Sequence, residues 1–212
     1  MKNKSDLQMK QCTIVRETSL SGIGLHLGKI VNITFKPAEV NHGIKFVRID
    51  LEDKPIIPAD ISRVISTNRG TTLQTGTAQV HTVEHVLSAL MGLGIDNLLI
   101  ELDGPEIPIL DGSAIIFVNA ILTAGIQAQD AEREVFEVTE PISFKDELSG
   151  TELVALPADE FNITTMIDFN SPVLGQQYAT LHHMADYVKE IASCRTFVFC
   201  HELEKLISQG LI

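Results

Sequence analysis

Apolar residues at Val83, Val86, Leu87, Leu90 and Met91 recur with the period of one buried helical face, and they follow a stretch of short strand-like runs. A chain patterned this way must bury a sheet face and a helix stripe against each other, which points to α+β layers. Thr82 is placed to cap the helix, so Glu84 and His85 fall in its first turn. The positive end of the helix dipole there favours an anionic carboxylate and disfavours an imidazolium. A neutral imidazole keeps a lone pair for a metal, and a carboxylate beside it can take a proton from metal-activated water. One imidazole is a single ligand, however, and zinc sites take three or four. A charged first turn on a surface helix has the same pattern.

The 212 residues allow one large domain or two small ones, and an apolar content of 44% supports a packed core. With 28 acidic against 16 basic residues the formal charge is −12, which argues against nucleic-acid partners, since phosphate contact needs clustered Lys and Arg. Three cysteines, Cys12, Cys194 and Cys200, include no Cys-x-x-Cys pair, and their odd number fits a reducing compartment. The polar start from Met1 to Asp6 leads into no apolar signal segment, and no run is long enough to span a membrane. A cytoplasmic protein is expected.

Strands are predicted at 12–18, 29–35, 43–49 and 71–74, separated by Gly, Pro and Asn. The stretch Ser21-Gly22-Ile23-Gly24-Leu25-His26-Leu27-Gly28 reads as a Gly-rich loop between two of them. The helix from Val83 to about Leu93 precedes a buried strand at 97–102, a Pro/Gly loop from Asp103 through Ser113, and a second helix stopped at Gly125. The polar, aperiodic segment 127–134 is the expected linker between a first domain (1–126) and a second (135–212). In the second, strands are predicted at 135–144, 152–156, 161–169 and 195–199, with helices at 185–192 and 201–208.

Other chemical candidates are weaker. His81 precedes the helix as a further ligand or a solvated turn residue, and His182-His183, adjacent on an extended segment, point to opposite faces. His26 could meet an anionic ligand through the flanking backbone amides, or its glycines serve turn geometry alone. The acids of the loop from Asp103 to Ser113 are first explained by a strand-to-helix turn. No Walker or dinucleotide motif, Gly-x-Ser-x-Gly elbow or Cys–His nucleophile pair is legible.

In order, Ser21 to Gly28, Thr82-Val83-Glu84-His85, Gly92 to Asn97, Gly104 to Ser113, Ile167-Asp168-Phe169 and Cys194-Arg195-Thr196-Phe197 resemble the UDP-3-O-acyl-N-acetylglucosamine deacetylase family, zinc enzymes that open the committed route to lipid A. The second half is most similar to the form fused to a hydroxyacyl-carrier-protein dehydratase. The resemblance implies an α+β fold of two stacked sheet/helix domains with their helices facing each other, the second truncated here. It implies Zn2+ as cofactor with His85 as a ligand, Glu84 as general base, and Thr196 as donor to the oxyanion. It places Asp168 and Phe169 near the nucleotide, Phe197 and Phe199 near the sugar and acyl chain, and His26 at the active-site mouth. The implied partner is UDP-3-O-acyl-N-acetylglucosamine, with transient membrane-surface contact through its acyl chain.

The family's other zinc ligands lie in a His-Lys-x-x-Asp motif, and none of the seven histidines here is followed by Lys. The chain is therefore expected to be the N-terminal two-thirds of such an enzyme. The alternatives are a non-catalytic remnant or nucleotide-sugar binding fragment, or a chain completed by a second polypeptide.

Overall fold

Every second residue from Val31 to Phe35 is buried, and Val31, Ile33 and Phe35 form the first apolar row of the core. The computed structural model describes residues 10–208, so the polar stretch from Met1 to Asp6 lies outside it. The described residues form two units, 10–133 with 188–208, and 134–187. The first contains strands β1 (Lys10–Ile14), β2 (Thr18–Ile23), β3 (Ile30–Pro37), β4 (Ile44–Arg48), β5 (Ile56–Pro58), β6 (Val64–Ser66), β7 (Thr72–Thr75), β8 (Ala78–Val80), β9 (Leu98–Leu102) and β10 (Ile126–Glu132). Helix α1 (Glu84–Gly92) follows β8, and α2 (Ile115–Ala124) lies between β9 and β10.

Five strands pair in the order β2-β3-β9-β4-β5, antiparallel except for the parallel β4–β9 pair. β6, β7 and β8 form a smaller antiparallel sheet, and β1 pairs with β10. Central β9 buries Leu98, Ile100 and Leu102, while α2 turns Phe117, Val118 and Ile121 inward. The Phe117 ring meets Phe35 edge-on, with centroids 6.4 Å apart and planes at 88°. Burying each such ring stabilises the fold by about 1.5–3 kcal/mol, and the T-shaped geometry adds ~1 kcal/mol. At the end of α2, Gly125 adopts φ 79°, and a Cβ there would crowd Val15, so the expected glycine stop is present for both reasons.

The fold is mixed α and β, as expected, with several local departures. Most of the expected linker 127–134 is β10, whose polar side chains are paired: Gln129 accepts from the Asn97 side-chain amide (2.7 Å) and donates to the Ala38 carbonyl (2.7 Å). A strand built on polar pairing carries no apolar alternation to detect. The first part of the Gly-rich stretch is strand, and its glycines admit a neighbouring loop: a Cβ at Gly22 would lie 2.8 Å from Leu110 and 2.9 Å from Pro108. Thr82 is not the helix cap. Val83 precedes α1 without a side-chain cap, and Thr82 lies in the left-handed region at φ 60° with its hydroxyl committed elsewhere. No strand forms at 195–199.

The second unit holds two antiparallel hairpins, β11 (Ile142–Lys145) with β12 (Glu152–Ala155) and β13 (Ile163–Asp168) with β14 (Gln176–Leu181). The strand expected at 135–144 is confined to its last residues, and β14 was not foreseen. All of β11, β12 and β13 is exposed, including Phe144 (59%), Leu153 (63%) and Met166 (73%). The predicted helix at 185–192 is a 3-10 turn, Met184–Asp186, running into Tyr187–Glu190, and the last helix is Cys200–Ser208.

Phe117→Ala removes the ring that joins α2 to the sheet. It should lower unfolding stability by about 3–5 kcal/mol, read as a drop in the urea midpoint without a change in slope.

Candidate functional site

Helix α1 begins on the chemistry-bearing pair. Glu84 is its first residue, and Oε2 accepts a 2.9 Å hydrogen bond from the Thr71 amide, on the turn before β7. The other oxygen points toward Gly70, where a Cβ would lie 3.3 Å from Glu84 Oε1, 3.4 Å from Thr82 Oγ1 and 3.7 Å from His26 Nε2. A shallow cavity of about 220 Å³ opens here, lined by His26, Asn68, Gly70, Thr72, His81 and Thr82. Of the predicted residues, the structure thus brings Glu84 and His26 together around a glycine, with half-buried His85 next to Glu84 on the helix.

His26 is held from below. Its backbone N–H and that of Leu27 each donate 2.9 Å to the two oxygens of Glu106, a residue with 0% exposure. The Thr82 hydroxyl donates to Glu106 Oε1 at 3.2 Å. The amides expected to meet an anionic ligand therefore hold the protein's own carboxylate. The His26 ring lies 3.1 Å from the Arg69 carbonyl. Glu106 was missed because nothing local in the acidic loop distinguishes a buried carboxylate from a solvated one.

The same loop holds the segment carrying Thr196. The Thr196 amide donates 3.0 Å to the Gly112 carbonyl, and Arg195 lies 3.4 Å from Asp111. Asp111 also accepts from the Ser113 hydroxyl at 2.7 Å, and this bond, with the Ser113 amide and Arg195 in support, holds its carboxyl below the usual range. Beyond Thr196, the Phe197 and Phe199 rings pack edge to face at 5.6 Å. Asp168 and Phe169 belong to the second unit. Asp168 accepts from Gln176 Nε2 and the Asn170 amide, both at 2.9 Å, and these bonds, the Gln176 one foremost, hold it below the usual carboxylate range.

The described residues do not by themselves fit a zinc ion. They contain no cluster of three or more His, Cys, Asp or Glu side chains able to hold a metal, and His85 is a single imidazole. His182 and His183 add nothing to such a site: His183 pairs with Glu160 at 2.8 Å. His81 bonds Thr72 Oγ1 at 3.0 Å, and burial pushes its pKa below that of an ordinary imidazole, against an opposing pull from Glu106. Because folding lowers this pKa, the neutral ring's contribution is fully present above the unfolded value and is lost as pH falls below it. The melting temperature should thus decline on acidification from about pH 7.5 to 5.5, and less steeply in His81→Gln.

The chain matches the family model described as LpxC, UDP-3-O-acyl N-acetylglycosamine deacetylase, over residues 11–212. It is similar to the bifunctional enzyme LpxC/FabZ of Chlorobaculum tepidum, with 48% identity over 203 residues, 95% of this chain and 44% of that enzyme. The bifunctional enzyme LpxC/FabZ of Bacteroides thetaiotaomicron is 44% identical over 96% of this chain and 44% of its own length. The UDP-3-O-acyl-N-acetylglucosamine deacetylase of Myxococcus xanthus is 43% identical over 95% of this chain and 64% of its own length. The chain thus spans less than half the length of the bifunctional relatives. By this match along nearly all of its residues, together with the Glu84-His85 helix start, the chain belongs to the UDP-3-O-acyl N-acetylglycosamine deacetylase family.

Proposed function

We propose that this chain carries the general base and one metal ligand of a zinc-dependent deacetylase. The reaction is hydrolysis of UDP-3-O-(3-hydroxyacyl)-N-acetylglucosamine to the free amine and acetate, the committed step of lipid A biosynthesis. The observation that carries the reading is the Glu84 carboxylate, fixed by the Thr71 amide at 2.9 Å with its second oxygen beside Gly70, a residue that lines the same cavity as His26. A general base must be held within reach of the proton it removes, and this one is held next to Gly70 of the cavity wall.

In this reading water attacks the acetamide carbonyl carbon while Glu84 takes its proton. The Thr196 hydroxyl donates to the carbonyl oxygen as negative charge develops there. The C–N bond then breaks as the leaving nitrogen takes the proton that Glu84 removed from water, and the acetyl group departs as acetate. Zinc, when bound, would supply Lewis-acid polarisation, and His85 is the ligand that the described residues offer. The edge-to-face pair Phe197 and Phe199 offers an apolar surface to the sugar and acyl chain, with Asp168 and Phe169 assigned to the nucleotide and His26 to the cavity mouth. The complete fold is proposed as two stacked sheet/helix domains. The site of action is proposed as the cytoplasm, with membrane-surface contact through the acyl chain. No described helix is long and apolar enough to cross a membrane.

The single imidazole favours a second reading for the 212 residues alone, a nucleotide-sugar binding fragment without catalysis. Zinc titration of the purified chain separates the two: weak, substoichiometric uptake fits the fragment, and tight one-to-one binding contradicts it. In the complete gene product, Glu84→Gln should lower kcat at least about 100-fold with the fold intact, and Thr196→Val about 10²–10³-fold. Deacetylation at the wild-type rate by Glu84→Gln would overturn the assignment.

A further inference from the structure

The three polar contacts of Glu106 that bear on the cavity are all donors. The His26 amide serves one oxygen and the Leu27 amide the other, and the Thr82 hydroxyl shares Oε1. Only an acceptor-only group of this length satisfies all of them: a glutamine would turn an NH₂ toward a donor and leave a buried N–H unpaired. The surroundings are built around the group. Gly24 is buried, and a Cβ there would collide with the Glu106 carboxylate. The loop is closed by Gly24 N to the Lys29 carbonyl (2.9 Å) and Gly28 N to the Gly24 carbonyl (3.1 Å). Glu106 itself is pinned by flanking ladder bonds, His81 N to the Pro105 carbonyl (2.8 Å) and Ile107 N to the His81 carbonyl (3.0 Å).

The third donor ties this clamp to the helix that carries Glu84. Thr82 is 2% exposed and holds φ 60°, a conformation that is unfavourable for a β-branched residue and persists only when its surroundings over-determine it. Its hydroxyl ends on Glu106, and the amide of the next residue, Val83, donates 3.3 Å to the Thr71 carbonyl. The Thr71 amide in turn holds Glu84. One carboxylate therefore contacts both the backbone under His26 and the strained corner before Glu84, and the His26 ring and the Glu84 carboxylate both neighbour Gly70.

We propose that Glu106 is a positioning residue of the active site, setting His26 against the start of the Glu84 helix. It touches no substrate and acts through His26. This rests on the proposed placement of His26 at the active-site mouth.

Two measurements test it. In the 212-residue chain, the His26 ring signals in a carbon–proton NMR spectrum should move in Glu106→Gln, while signals from the Phe35 and Phe117 core stay in place. Gly24→Ala, which displaces the carboxylate without changing its chemistry, should move the same signals and covers the case in which Glu106→Gln does not fold. In the complete gene product, Glu106→Gln should lower kcat/KM about tenfold or more, the size expected for losing a charge-assisted hydrogen bond. Added to His26→Ala it should cost less than about threefold further, because both changes remove one element. A residue that merely stabilised the fold would instead add its full penalty. Unmoved His26 signals in the variants that fold overturn the proposal whatever the activity, and so does full additivity. Wild-type activity in His26→Ala alone would count against the placement of His26 while leaving the NMR result to decide the positioning.

Discussion

A carboxylate with no solvent exposure is costly to bury unless its lone pairs are filled, and around Glu106 two amides and a hydroxyl fill them. The partners come from segments remote in sequence, so satisfying this one group brings β2, the loop after β9 and the start of α1 to a common point. The arrangement requires glycine at Gly22 and Gly24, where the loop carrying Glu106, Pro108 and Leu110 presses on the strand. It also accounts for the left-handed Thr82 and for the absence of a side-chain cap on α1, since the Thr82 hydroxyl is already used.

The loop from Asp103 to Ser113 reaches a second segment as well. Its Gly112 carbonyl takes the Thr196 amide, and Asp111 faces Arg195 while accepting from Ser113. One rigid connection between β9 and α2 therefore supports the backbone under His26 and the backbone of Thr196. Under the proposed roles of Glu84 as base and Thr196 as oxyanion donor, such a connection is chemically useful, because both groups act only if held to within a fraction of an ångström. By contrast, the two hairpins of the second unit, one of which carries Asp168 and Phe169, expose Phe144, Leu153 and Met166, and their internal pairing is local.

Much of the first unit was legible because its elements are amphipathic. The alternation of Val31, Ile33 and Phe35, the helical spacing from Val83, and Gly125 as a stop each state their structure locally. Elements held by polar pairing were not: β10 reads as a linker because Gln127 looks solvated until the Ile14 carbonyl is beside it, and Gln129 until Asn97 and Ala38 are. Of the site, Glu84 and His85 stood out as an acid and an imidazole opening a helix. Glu106 did not, since its role depends on donors 79 and 80 residues away. The glycines beside His26 suggested an anion site, and the anion is a side chain of the chain itself. Thr82 was misread because an N-cap and a strained corner share the same residue preference for a hydroxyl.

The Glu106 carboxylate fills the amides of an otherwise exposed loop, and amide hydrogen exchange on the unmodified chain reads that occupancy. His26 and Leu27 have exposed side chains, so in an unclamped loop both amides would exchange quickly. With the carboxylate in place, both should exchange at least about tenfold more slowly than an unprotected amide. Exchange of both amides at the unprotected rate would rule the clamp out.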